Sequence, residues 1–150
     1  MTIKQTLTKG TIMLKNSKIQ FENPELKKIV FYENLNFNTE KYDGMKLIGN
    51  TKIKRRINNN SAIVNFRLNI GEDNDKFPFY CVLEMESVFQ WEKDIDDHFV
   101  EELLKTNASS LLLGYMRPIV ANVTGMTKYP SFNIPFLDMS ENEAEISWSE

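Results

Sequence analysis

Apolar and polar residues trade places at almost every step from Ser61 to Ile70. Ala62, Val64, Phe66, Leu68 and Ile70 are apolar, Ser61, Asn65, Arg67 and Asn69 are polar, and Ile63 breaks the pattern. Side chains of a strand alternate faces with period two, so this stretch is built to bury one face and wet the other. A second strand-like run, Phe77 to Trp91, follows after the turn-rich residues 71–77. The pair predicts a long antiparallel hairpin with one buried face. Whatever else the chain forms must cover that face.

Downstream the period changes. Ile95, Phe99, Val100, Leu103 and Leu104 recur at helical spacing, with Asp94 or Asp96 as N-cap. A second helix starts near Asn107 and presents Leu112, Tyr115, Met116, Ile119, Val120 and Val123, with Gly125 as its stop. Pro118 falls inside it and predicts a kink or an irregular turn. Tyr129 to Phe136 carries two prolines among aromatics, so it is expected to be extended but not a central strand. Upstream, Thr11 to Asn23 reads as a first strand with Ile12, Leu14, Ile19 and Phe21 as its apolar residues, closed by Pro24. Ile29 to Asn38 is strand or extended loop, and Met45 to Ile57 is a long strand ended by Asn58-Asn59-Asn60. Strands first and helices last predict the α+β class.

With 150 residues, 41% of them hydrophobic and 26% charged, the chain has room for a single domain, residues 1–150, and an ordinary soluble composition. No apolar run approaches the roughly 18 residues of a membrane span, so membrane insertion is not expected. No apolar region follows Lys4 in Met1–Thr6, which argues against a secretory signal. The lone Cys81 excludes an internal disulfide and suits a reducing cytoplasm. Net charge is −3 but unevenly spread. Lys46, Lys52, Lys54, Arg55, Arg56 and Arg67 occupy Gly44–Gly71 without an acid, whereas Asp138, Glu141, Glu143, Glu145 and Glu150 follow Tyr129 without a base. These regions are either solvated surfaces, mutually attracting segments, or a basic patch for an anionic partner.

Chemistry-bearing motifs are missing. There is no HExxH or CxxC spacing, and the glycines are too scattered for a phosphate-cradling loop. Asp73-Asn74-Asp75 and Asp94-x-Asp96-Asp97 lack the glycine and distal glutamate of a calcium loop and read as turn and capping residues. His98 has no adjacent nucleophile, Cys81 lies inside a strand, and Glu84 and Glu86 share a strand face expected to meet water. No catalytic residue, metal or cofactor is assigned, and an enzyme is not expected.

The order of several segments resembles a known family. Phe79-Tyr80-Cys81-Val82-Leu83 with Val88-Phe89, then Tyr115-Met116-Arg117, then Tyr129-Pro130-x-x-Asn133-Ile134 resembles the SecB-type protein-export chaperones. Those show a Phe-x-Cys strand, a Tyr-Ala-Arg helix and a Phe-Pro-x-x-Asn-Leu segment in that order. Ile19-Gln20-Phe21-Glu22-Asn23-Pro24 is similar to their Ser-Phe-Glu-Ala-Pro strand end. The resemblance implies a four-stranded antiparallel sheet packed on C-terminal helices. It also implies assembly as a dimer of dimers, a homotetramer. Such proteins hold non-native polypeptide clients without ATP or cofactor, in protein export, as general holdases, or for a toxin–antitoxin client. The client groove is expected between the end of the last hairpin strand (Phe89, Trp91) and the C-terminal segment (Tyr129, Phe132, Ile134, Phe136), with Phe31, Leu35 and Phe37 as the other wall. Export chaperones carry carboxylates where this chain has Lys18 and Val82, so electrostatic docking to an export motor is not expected.

A second hypothesis is a nucleic-acid or anionic-ligand module. Alternation puts Lys52, Lys54 and Arg56 on one strand face, near Arg55 and Arg67. No aromatic residue is interleaved with these bases, which counts against nucleic acid.

Overall fold

In a computed structural model, which describes residues 8–150, two helices cover one face of a six-stranded sheet. The reading of Met1–Thr6 lies outside the described residues. The strands are β1 (Ile19–Phe21), β2 (Glu25–Glu33), β3 (Leu47–Arg56), β4 (Ser61–Ile70), β5 (Phe79–Trp91) and β6 (Ala144–Ser149). The helices are α1 (Asp97–Lys105) and α2 (Asn107–Gly125). The architecture is α+β, as the period change implies, but with six strands where four were expected.

The hairpin dominates. Ser61 pairs with Gln90 and Ile70 with Cys81 in unbroken antiparallel register, and Leu47–Arg55 of β3 pairs with β4 on its other side. The inward residues Ala62, Val64, Phe66, Leu68 and Ile70 of β4 meet Cys81, Leu83, Met85 and Phe89 of β5 in one buried cluster. Val100 and Leu104 of α1, with Leu112, Met116 and Val120 of α2, close it from above. Ile63, the exception in the alternation, points outward opposite Lys54. The hairpin turn needs a glycine: Gly71 has φ +70, and an added Cβ there would collide with the carbonyl oxygen of Phe79.

The extra strands have local causes. The expected first strand, Thr11–Asn23, pairs only over Ile19–Phe21, and Ile12 and Leu14 stand 75% and 85% exposed. Pro24 has no N–H to extend the ladder, so the edge breaks there and restarts as β2 on the same side of β5. Ser87 Oγ donates to the Glu22 carbonyl at 2.5 Å and fixes that corner. β2 starts four residues before the expected Ile29 and ends at Glu33. At the opposite edge β6 pairs in parallel with β3, Thr51 opposite Ala144 through Arg56 opposite Ser149. Its approach is pinned by Asn142, whose Nδ2 donates to Thr51 Oγ1 at 2.9 Å and to the Lys105 carbonyl at 2.7 Å.

Asp96 is the α1 N-cap, accepting from the Phe99 N–H at 3.2 Å. Phe99, expected in the helix core face, is 56% exposed because Val100 and Leu104 take that position. α2 continues as helix through Pro118, without the irregular turn that was one of the two expectations there.

Candidate functional site

Three irregular segments converge at the turn end of the hairpin. The β2–β3 connection supplies Phe37, Thr39, Tyr42 and Met45, the start of β5 supplies Pro78 and Phe79, and the chain after α2 supplies Tyr129, Pro130, Ser131 and Phe132. Together they line a groove of about 410 Å³ with five aromatic rings and no charged side chain. The rings form two connected rows. Phe37 meets Tyr42 at 5.9 Å and Tyr129 at 6.0 Å edge-on, while Phe79 meets Phe31 at 5.3 Å and Phe132 at 6.3 Å. Edge-to-face geometry suits the ring quadrupoles and holds apolar surface in place without filling the space above it.

Each wall is fixed by polar contacts outside the groove. In the β2–β3 connection, buried Asn34 donates through Nδ2 to the carbonyls of Glu72 at 2.8 Å and Phe77 at 2.9 Å, tying this connection to the hairpin turn. Lys41 pairs with Asp75 and Lys46 with Glu72, both at 2.6 Å. Those lysines hold both carboxyls below the usual range, the side-chain hydrogen bond being the larger cause in each case. The pairs are solvent-exposed and serve to orient the loop more than to stabilise it.

The C-terminal wall is proline-containing and joins no sheet, so its backbone groups need other partners. α2 provides them. Buried Thr124 Oγ1 donates to the Val120 carbonyl at 2.7 Å and accepts from the Phe132 N–H at 2.7 Å. Ser131 Oγ donates to the Ala121 carbonyl at 3.1 Å. Arg117 reaches across with one nitrogen on the Ile134 carbonyl and the other 3.0 Å from the Pro135 carbonyl. Phe132 is thereby half-buried, with its ring held between core and groove.

Of the expected groove residues, the structure brings together Phe37, Tyr129 and Phe132, with Phe31 beneath them against Phe79. Phe89 and Ile134 are core residues, 3% and 5% exposed. Trp91 is elsewhere: Phe79 and Trp91 end a 13-residue strand, about 40 Å apart at strand rise. Phe89 and Trp91 do not border this groove, whereas Pro78 and Phe79, at the other end of the same strand, do. Leu35 and Phe136 project into solvent and do not line the groove. Sequence reasoning missed Tyr42, Met45, Phe79 and Pro130. Phe79 was hidden because one ring faces both core and groove. Tyr42 and Met45 lie in a connection with no periodicity to read.

The outer sheet face tests the basic stripe. Lys52 and Lys54 do share that face and are exposed. However, Glu145 lies opposite Lys52 on β6, and Glu84 and Glu86 of β5 lie across Asn65, accepting from its Nδ2 at 2.9 and 3.2 Å. The face is a charge mosaic and not a continuous positive track. Arg55 points the other way, into the structure, at 6% side-chain exposure. Cys81 is buried, and burial pushes its thiol up to about 11. His98 is exposed on α1. Among the described residues, no group of three or more His, Cys, Asp or Glu is placed to hold a metal ion. No helix among them is long and apolar enough to cross a membrane.

No family model matches the sequence, and no curated protein matches it. Solved structures do. A SecB-like chaperone of Mycobacterium tuberculosis, solved in complex with a ChAD peptide from the HigA1 antitoxin, superimposes with a TM-score of 0.65 at 14% identity. The match covers 80% of this chain and 91% of that one. A Streptococcus agalactiae protein of unknown function matches with a TM-score of 0.47 at 13% identity, over 79% of this chain and 97% of that one. With the ordered motifs from Ile19 to Phe136, the first of these matches identifies the architecture: this chain has the SecB-like fold.

Proposed function

We propose that this protein is an ATP-independent chaperone that binds non-native polypeptide in the groove between Phe37, Tyr42, Phe79, Tyr129 and Phe132. The observation that carries the reading is a concave, wholly uncharged aromatic surface whose walls are tied down by contacts outside it. Aromatic rings offer large contact area at small entropic cost and do not demand one sequence. An apolar cleft left open on a folded chain is the usual mark of a polypeptide or ligand site. The antitoxin peptide bound by the M. tuberculosis chaperone supports a peptide client, either general or from a toxin–antitoxin module. The acidic docking surface of an export chaperone is replaced here by Lys18 and a buried Val82, so export is the less favoured role.

One groove of this size holds a few side chains, and avidity for a long client requires several grooves in one particle. Two surfaces support assembly into a dimer of dimers. β2 is an edge strand, exposing Leu26 and Ile29. The outward face of α2 carries Ser110, Gly114, Pro118 and Asn122 at four-residue spacing, without a charge. Light scattering is expected to give a tetramer. The purified protein is expected to suppress aggregation of chemically denatured clients at near-stoichiometric ratio, without nucleotide. Failure with several unrelated clients and with an antitoxin peptide would overturn the proposal.

A further inference from the structure

At the far end of the sheet from the groove, a second depression of about 670 Å³ opens between the β3–β4 turn, the end of β5 and β6. Its floor is Arg55. That guanidinium lies 4.5 Å from the ring centroid of Trp148 and 5.5 Å from that of Trp91, and it grips Asp97 with two nitrogens at 2.5 and 3.2 Å. Its Nε is buried without a hydrogen-bond partner. A buried donor left unpaired on a charged group is costly, so Arg55 is held by its contacts with Asp97 and the two indoles.

Arg56 and Lys93 stand on the rim. Neither forms an ion pair among the described residues. Three cations therefore line the depression against the single carboxylate of Asp97. The turn adds the amides of Asn58 to Asn60, and Asn58 adopts φ 60, a left-handed conformation that asparagine tolerates. One face of the Trp148 ring is taken by Arg55, yet the residue is 55% exposed, which leaves ring surface for a stacked planar partner.

We propose that this depression binds a mononucleotide, with the phosphate on Arg56 and Lys93 and the base stacked on Trp148 beside the asparagine amides. Phosphate recognition is served by charge-assisted donors, and a flat ring by an indole face. A mononucleotide combines both needs within the size of the site. A longer nucleic acid fits less well, because the adjoining Lys52–Lys54 face is interrupted by Glu145 and carries no continuous positive path. Arg55 acts here as a positioning residue, holding both indoles while Asp97 neutralises it.

Both tryptophans of the chain line this site, so intrinsic fluorescence reads it directly. AMP, adenosine and inorganic phosphate are titrated separately into the full-length protein. The expected result is saturable quenching by AMP, with affinity at least about tenfold above that for adenosine or phosphate alone. Arg56→Ala with Lys93→Ala is expected to weaken AMP about tenfold or more, with an unchanged far-UV spectrum. Lys93→Ala alone, at an exposed position, serves if the double variant unfolds. No saturable response to AMP, equal affinity for phosphate, undiminished binding by the variants, or far tighter binding of a single-stranded oligonucleotide would each overturn the assignment. Client binding in the aromatic groove is independent of every one of these outcomes.

Discussion

The guanidinium of Arg55 stacks on Trp148 at 4.5 Å, and this contact fastens the C-terminal strand to the body of the protein. Through Asp97 and Trp91 the same side chain also reaches α1 and the end of β5, so one residue joins four elements. Removing it costs the stacking and the paired hydrogen bonds together. Arg55→Met is expected to destabilise the fold by about 2–3 kcal/mol in urea unfolding. Hydrogen exchange should show β6 opening before β4 and β5.

The Arg55–Asp97 pair also sets a pH dependence. Its hydrogen bond from Arg55 holds the Asp97 carboxyl below the usual range. The unfolded chain therefore binds that proton more readily, and stability falls with acid. The contribution is complete above the ordinary aspartate value of about 3.9 and is lost as pH drops through the lower folded value. Asp97→Asn should be less stable than the parent at neutral pH, and the two should converge in acid. Unfolding curves that stay parallel down to low pH would contradict the pairing. Asp97 is largely exposed, so the effect is expected to be modest.

The proposed groove function is separable from the fold at Phe37 and Tyr42, which are partly exposed and belong to a connection, not to the sheet. A Phe37→Ser, Tyr42→Ser double variant should keep its thermal midpoint within a few degrees, about the effect of 1 kcal/mol or less in a domain of this size. It should lose most of its suppression of client aggregation. Phe136→Ser is the control: that ring is fully exposed yet does not line this groove, and its loss should change neither property.

Arg117 and Thr124 shape the groove without lining it. Thr124→Val keeps the volume but strands the Phe132 N–H, at an expected cost of about 1–3 kcal/mol. Arg117→Met removes donors from the Ile134 and Pro135 carbonyls. Protease cleavage within residues 129–136 should become faster in both variants, and client affinity should fall with it. Unchanged cleavage would mean that core packing of Ile134 alone holds the segment.

Cys81 offers a test of global opening. Its thiol is buried and pushed up to about 11, so both access and thiolate are lacking at neutral pH. Alkylation should be slow in the native protein and track unfolding across a denaturant series.

Two features of the site were open to reading from residues alone. Proline-containing Tyr129–Phe136 joins no helix or strand, as its prolines imply, and three of the rings named from the sequence, Phe37, Tyr129 and Phe132, meet around one cavity. The charge split between basic β3 and the acidic tail pointed to attraction as one option, and parallel pairing does set Glu145 opposite Lys52 in register. The tail even carries a strand signal, Ala144, Ile146 and Trp148 alternating with Glu145, Ser147 and Ser149. Six residues of alternation amid so many acids read as solvated chain, and a parallel pairing leaves no nearby turn to announce it.

The residues by themselves determined which face of each hairpin strand is buried, where helices replace strands, and where the aromatic segment must run extended. All three follow from local periods, caps and prolines, which act over one or two turns of chain. Only the tertiary structure decided that Phe89 and Ile134 are core while Phe37 and Phe132 border a groove, and that Arg55 faces inward between two indoles. Period two tells a side chain which face it takes; what lies across that face is set by segments tens of residues away.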